Sequence, residues 1–299
     1  MEFFRDLFFS GLTKGSIYAL IALGYTMVYG IIALINFAHG EIYMIGAFTA
    51  LIASMILSSF GLAGWGLLVL VALIAALYSA MYGFTVEKIA YKPLRESSRL
   101  APLISAIGMS IFLQNYVQLV QSSNFQVFNN IIPDISFIKA GSIVNKTQFM
   151  IVLTTALSMV ALTIFIKKTK IGMAMRAVSQ DQVMARLTGV KIDRIISSTF
   201  IIGSVLAAIG GLLIGCSMRQ IDFYIGFLAG MKAFTAAVLG GIGSIPGAVI
   251  GALILGFAES FAAGYISSEY EDVVAFVLLI VILTFRPTGI MGQATTQKV

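Results

Sequence analysis

The segments INFAHGEIYMIGAFTA (residues 35–50) and IDFYIGFLAGMKAFTA (residues 221–236) align without a gap at an offset of 186 residues. Seven of the sixteen positions are identical, and Asn36 stands opposite Asp222. Upstream, Leu20, Ala22 and Gly24 meet Leu206, Ala208 and Gly210 at the same offset. Apolar segments drift into likeness by chance, but the shared Ala-Phe-Thr-Ala block favours a duplicated architecture, a common ground plan of membrane transporters.

Outward from this pair, the 299-residue chain reads as nine apolar stretches, at about 7–35, 42–60, 65–86, 101–122, 148–166, 195–216, 228–244, 246–264 and 272–285. Most are long enough to cross a hydrocarbon core of about 30 Å, which needs about 20 residues of helix. The seventh and eighth are short and separated by Gly243-Ser244-Ile245-Pro246, so they read as two tightly linked spans or one broken helix. The first stretch runs past residue 30 without a basic leader and a small-residue cleavage site, and so reads as a span rather than a cleaved signal.

Charge in the loops sets an expected orientation. Segments 87–100 and 167–194 carry 11 of the 19 basic residues and should be cytoplasmic. Segment 123–148 is rich in Asn, Gln and Ser, and segment 264–272 is acidic; both read as outside. Nine spans satisfy all four assignments, with the N-terminus outside and the C-terminus inside. Five spans then separate the starts of the two copies, which gives them opposite orientations, an inverted-topology repeat.

Composition excludes a soluble domain: 59% of residues are hydrophobic and 11% charged, against about 25% charged in soluble proteins. The net charge of +6 reads as basic loop retention, not as a nucleic-acid partner. One cysteine, Cys216, permits no internal disulfide or thiolate cluster, and no metal-ligand spacing occurs. There is no G-x-x-x-x-G-K-[ST] phosphate loop, no paired carboxylate inside a span and no nucleophile–base set. An enzyme reading therefore has almost no support.

Three places carry chemistry. Asn36-Phe37-Ala38-His39-Gly40-Glu41 interrupts two apolar runs with groups that are costly in lipid. It reads as a polar loop at the inner face, or as a helix break that lines a pathway or meets a partner, with Asp222 to Gly226 as its counterpart. Residues 172–190, GMAMRAVSQDQVMARLTGV, read as one short amphipathic helix with a partial apolar stripe of Met175, Val178, Val183 and Leu187 and Gly189 as a C-cap. It suits docking to another subunit or lying on the bilayer surface. The glycines around Gly241 and Gly243 suit close helix packing or an unwound pathway segment. Lys232, Lys14 and Glu259 read as groups reaching from span ends toward the interface.

These residues bring a family into view. GSIYALIALGYTMVYGIIALINFAHGEIYMIGAF (residues 15–48) closely resembles the N-terminal signature of membrane subunits of branched-chain amino-acid ABC importers, and looks most like the first of the two permeases that pair in such systems. Residues 172–190, AFTAAVLGGIGSIPGAVIGALILG (233–256) and RPTGIMG (286–292) resemble further blocks of the family in the same order. The resemblance implies a second homologous permease, two ATPase subunits that hydrolyse ATP, and a soluble binding protein outside; this chain itself binds no cofactor. It also implies that the segment carrying Arg176, Ala177, Asp181, Ala185, Arg186 and Gly189 is the coupling helix that sits in a groove of the ATPase. Close relatives in the family move urea or short amides, and the resemblance separates these less surely.

The expected fold is an all-α polytopic membrane protein of 8–9 transmembrane helices, with an inverted-topology repeat and broken helices. The whole of 1–299 is one permease domain, with repeats at about 7–122 and 195–286 and a coupling loop at about 167–194. The expected function is the pathway subunit of an ATP-driven importer for leucine, isoleucine and valine, in a bacterial inner membrane. A urea or amide permease and an ion-coupled secondary transporter are the alternatives. The spans offer the latter few carboxylates beyond Glu41, Asp222 and Glu259. Pathway candidates are Asn36, His39, Gly40, Glu41, Asp222, Gly226, Gly241 and Gly243.

Overall fold

The computed structural model describes residues 2–95, 97–98, 100–134 and 145–292. Arg99, one of the basic loop residues counted above, lies outside the described residues. In chain order the elements are α1 (Glu2–Ile32), α2 (His39–Ser59), α3 (Gly64–Val86), α4 (Leu100–Val120), β1 (Gln126–Val127), α5 (Lys146–Lys168), α6 (Lys170–Gln180), α7 (Gln182–Leu187), α8 (Ile192–Met218), β2 (Gln220–Ile221), α9 (Ile225–Gly240), α10 (Ile245–Tyr265) and α11 (Glu271–Phe285). Each of the nine expected apolar stretches holds one helix. Seven helices among the described residues are long and apolar enough to cross a membrane. The remaining two are shorter: α9 has 16 residues and α11 has 15. Helix α3 runs on through a wide turn over Glu87–Tyr91 and a tight one over Lys92–Leu94.

Local chemistry places the helix ends. Asn145 and Gln148 form a reciprocal capping box at the start of α5. At α10 the Ser244 hydroxyl accepts the Gly247 N–H at 3.2 Å, and Pro246 occupies the first turn, where no donor is needed. Residues 228–264 are thus two helices, joined by a turn in which Gly241 and Gly243 take φ of 104° and 94°.

Helix α1 is the central post, buried along most of its length against α8, α9 and α10. The seams are made by small residues. A Cβ on Gly256 would strike the backbone of Gly15 and Gly11, and one on Gly46 would lie 2.6 Å from the Ala208 α-carbon. Close backbone approach of this kind drives helix association where the surroundings are as apolar as the side chains. Helices α3, α4, α5 and α11 lie at the periphery. Ala275 is the one buried residue of α11, and Leu119 of α4 is 87% exposed. Apolar side chains that face outward on these helices suit a hydrocarbon solvent.

Contacts sort the loops to two ends. At one end Phe3 meets Tyr265, and β1 pairs antiparallel with β2, so segments 121–134 and 219–224 lie together. At the other end the Gln182 amide donates to the Ile31 carbonyl at 3.3 Å. There the C-terminal segment also straps onto the bundle: Ile290 and Met291 N–H groups donate to the Leu239 and Gly240 carbonyls, both at 2.9 Å.

The loop over 172–190 differs from expectation. It forms two helices, because Asp181 adopts an extended backbone (φ −158°, ψ 111°) and its carboxylate accepts the Val183 and Met184 N–H groups at 2.8 and 3.0 Å. A side chain that caps a new helix ends the old one. The anticipated single stripe is therefore split. Met175 and Val178 are buried, whereas Val183 and Leu187 are 70% and 77% exposed. The expected C-cap at Gly189 is present, with φ of 85°. Val190 N–H reaches the Ala185 carbonyl and Gly189 N–H the Arg186 carbonyl, the paired bonds of a Schellman motif.

Gly256→Leu, which drives a side chain into the α1 backbone, is expected to cost at least about 1–3 kcal/mol. It should visibly lower the melting temperature in detergent, whereas Gly108→Ala, with open space around its α-carbon, should leave it unchanged.

Candidate functional site

Helix α1 stops at Ile32, and Ala33 adopts φ of 52°, which turns the chain back into the bundle. Residues 33–38 are non-helical, with Asn36 and Ala38 buried, Ala33 exposed and the others half-buried. Asn36 and, in the first turn of α2, His39 are each 1% exposed and Glu41 is fully buried, so these polar side chains face protein rather than solvent. Irregular backbone at membrane depth must find its partners within the protein. The Tyr91 hydroxyl, carried inward by the wide turn after α3, lies 3.0 Å from Asn36 Oδ1 and 3.2 Å from the Ile35 carbonyl, to which its single proton donates in turn. The His39 N–H donates to the Asn36 carbonyl at 3.0 Å.

The first turn of α2 carries the polar groups. The His39 ring packs edge-on to Tyr25 at 4.9 Å, and its Nε2 occupies the space a side chain at Gly24 would need. Ser110 of α4 donates to Glu41 Oε1 at 3.0 Å. Glu41 Oε2 and Asn36 Nδ2 are buried without a hydrogen-bond partner among the described residues. A carboxylate in a first helical turn is favoured by the helix dipole, but a buried orphan oxygen calls for a functional reason.

Across from this turn stands α9, which begins 186 residues after α2 begins. A Cβ on Gly40 would strike the Gly226 carbonyl, and one on Gly226 would lie 2.7 Å from the Gly40 carbonyl oxygen and 2.5 Å from Glu41 Oε2. The equivalent glycines therefore press on each other reciprocally, and only residues without side chains permit it. Phe234 lies beside Phe37 and Tyr25, so α9 passes α2 in the opposite direction. A cavity of about 250 Å³ opens beside this crossing, lined by Tyr25, Phe37, Ser110, Gln114, Phe227 and Met231 among others.

The structure thus brings Asn36, His39, Gly40, Glu41 and Gly226 together. Asp222 lies toward the other end and lines a separate cavity. Gly241 and Gly243 sit in the turn between α9 and α10, where Gly241 packs against the strap residues Gly289 and Gly292. In the loop, Arg176 donates to the Ile166 carbonyl near the end of α5, Ala177 packs against the core, Ala185 is buried, and Arg186 and Gly189 are exposed.

Sequence reasoning missed two ionic clusters. Lys232 and Glu259 do not reach out to an interface: they are 9% and 0% exposed. The Lys232 ammonium lies 3.3 Å from Glu259 Oε1 and 2.7 Å from Asp272 Oδ1, and the Tyr18 hydroxyl donates to Glu259 Oε2 at 2.7 Å. Lys14 bonds Glu271 at 2.7 Å. The second cluster surrounds buried Glu87, which is bound by Arg95 and by Ser197 at 2.8 Å, and Arg95 also reaches Asp193 at 2.8 Å. The partners are up to 257 residues apart in sequence, so only the charged residue types inside apolar runs could have signalled them.

Long apolar helices around a buried polar break define an integral membrane protein. The model of the family described as branched-chain amino acid transport system / permease component matches residues 7–283, and the chain belongs to that family. It is 51% identical to the high-affinity branched-chain amino acid transport system permease protein LivH of Salmonella typhimurium, over 99% of this chain and 98% of that protein. The corresponding permease protein BraD of Pseudomonas aeruginosa is 50% identical over 97% of this chain and 96% of its own length. A more distant relative, the permease protein LivM of Salmonella typhimurium, is 24% identical over 95% of this chain and 70% of that protein.

Removing one partner of a buried ion pair strands the other charge, at about 3–5 kcal/mol. Lys232→Met is therefore expected to deplete folded protein in a detergent melt, and Lys232→Met with Glu259→Gln should recover a clear part of the loss.

Proposed function

We propose that this chain is the transmembrane pathway subunit of an ATP-driven importer for branched-chain amino acids. The observation that carries the reading is the near-full-length identity of 51% to a permease named for high-affinity branched-chain amino acid transport. The chain has no nucleotide site of its own and works by alternating access. Energy comes from two separate ATPase subunits, and a soluble binding protein delivers substrate from outside. A second, homologous permease completes the membrane core, a reading that the similarity to LivM supports. The chain resides in a bacterial inner membrane with its N-terminus outside and its C-terminus in the cytoplasm.

Helices α1–α4 and α8–α11 form two inverted repeats, and the pseudo-two-fold axis passes between Gly40 and Gly226. Their reciprocal contact supports this, because a two-fold relation requires that i touch j as j touches i. The crossing at Asn36, His39 and Glu41 lines the pathway. Helices α6 and α7 couple it to the ATPases. The exposed Val183, Met184 and Leu187 of α7 supply an apolar docking face, flanked by Arg186. ATP binding acts by favouring one arrangement of the pathway over the other through this contact.

Cells with the gene deleted are expected to lose uptake of labelled leucine and to regain it on restoration, with urea uptake unaffected. ATP depletion, but not collapse of ion gradients, should abolish it. Loss of urea uptake alone would move the substrate to short amides, and dependence on ion gradients would overturn ATP coupling. Leu187→Asp and Arg186→Glu should each reduce uptake at least about tenfold, the equivalent of about 1.4 kcal/mol of docking, at normal membrane levels of the protein. Normal uptake in both would refute the coupling role of α7.

A further inference from the structure

A cavity of about 310 Å³ lies between α1, α8 and α9 at the end that carries β1 and β2. It is near the lower limit, roughly 300 Å³, of pockets that hold small molecules. Four charged side chains line it, Lys14, Lys232, Asp222 and Glu271, two of each sign. Its remaining wall is largely apolar, with Ile17, Ile214 and Leu228 beside the aromatic Tyr43 and Phe125 among the lining residues. A cavity lined by equal numbers of both charges and an apolar wall matches a molecule of the same makeup.

The bonding state of these groups says which are free to engage a ligand. Among the described residues Asp222 forms no ion pair. A carboxylate with its acceptor sites open can take an ammonium group. The Lys14 ammonium has three donors and spends one on Glu271. Lys232 is held by Glu259 and Asp272, so its place is fixed whether or not a ligand is present.

We infer that this cavity is a binding site for a zwitterionic α-amino acid with an aliphatic side chain. Asp222 receives the ammonium group, Lys14 the carboxylate, and the wall at Ile17 and Leu228 the side chain. Charge placed at both ends discriminates more strongly than the wall does. A hydrocarbon pocket separates side chains that differ by one methylene by only about 10–200-fold, whereas a ligand that lacks either charge leaves a partner unpaired. The inference rests on the reading that this chain conducts branched-chain amino acids, and it assigns that substrate a first station on this subunit.

The test uses the whole transporter in right-side-out membrane vesicles without ATP. Leu228→Cys places a thiol in the wall, and the chain's own Cys216 is 1% exposed and so protected. The rate of modification by a small charged methanethiosulfonate is measured alone and with L-leucine, 4-methylpentanoate (no ammonium) or 3-methylbutylamine (no carboxylate). Ala229→Cys, on the same wall, serves as a second reporter should the first variant fail to assemble. L-leucine is expected to slow modification at least fivefold, the two half-ligands to have little effect, and Asp222→Asn to remove the protection. Equal protection by a half-ligand would overturn two-charge recognition. Absence of leucine protection in both reporters, in vesicles whose wild-type form takes up leucine once ATP is loaded inside, would overturn this site and leave the proposed function standing. Failure of the ATP-loaded wild-type form to take up leucine would instead count against the proposed function.

Discussion

Backbone that leaves a helix inside hydrocarbon has no water to bond, so every N–H and C=O freed there must be met by protein. The segment between α1 and α2 is held under that constraint, and much of the bundle is arranged around it. The Tyr91 hydroxyl serves Asn36 and Ile35, and the Asn36 carbonyl takes the His39 N–H. Tyr91 reaches this depth only because α3 continues into a wide turn at Glu87–Tyr91. Gly24 leaves room for the His39 ring, and Gly40 and Gly226 let α2 and α9 cross at backbone contact. A side chain at any of these glycines would separate the elements that shield the break.

Charge in the bundle is treated in two ways. Glu259 and Glu87 are buried with cationic partners, Lys232 and Arg95, and with a hydroxyl donor each, Tyr18 and Ser197. Such clusters add little net stability, because desolvation offsets much of the attraction. They tie particular helices together: Lys232 of α9 to α10 and α11, Lys14 of α1 to α11, and the turn after α3 to α8. Glu41 differs. It has one hydroxyl donor and no ion pair among the described residues, and its Oε2 is left without a hydrogen-bond partner there.

At the end that carries α6 and α7, three parts of the chain converge. The strap at Gly289–Gly292 extends the backbone bonding of α9, Arg176 closes the end of α5, and Gln182 reaches the end of α1. Met175 and Val178 anchor α6 in the bundle, and α7 turns its apolar side chains outward. These contacts bring the α6–α7 elbow against the ends of α1 and α5.

Much of this was legible in the sequence. Runs of about 20 apolar residues set the helices, because lipid leaves no other structure for such chains. The 186-residue offset located the paired starts of α2 and α9, and the residue types at Asn36, His39 and Glu41 marked the break. Gly189 was readable as a cap because a left-handed residue is needed there. Tertiary structure decided the rest. Whether Asn36 to Glu41 formed a surface loop or a buried turn depended on Tyr91 and Ser110, which are far away in the chain. Lys232 and Glu259 looked like side chains that reach for water until α10 and α11 brought their partners within 3.3 Å. The stripe over 172–190 looked continuous because periodicity does not reveal that Asp181 would rather cap a helix than continue one. Local pattern determines which elements form; which buried polar groups meet is set by contacts between residues that sequence order does not bring together.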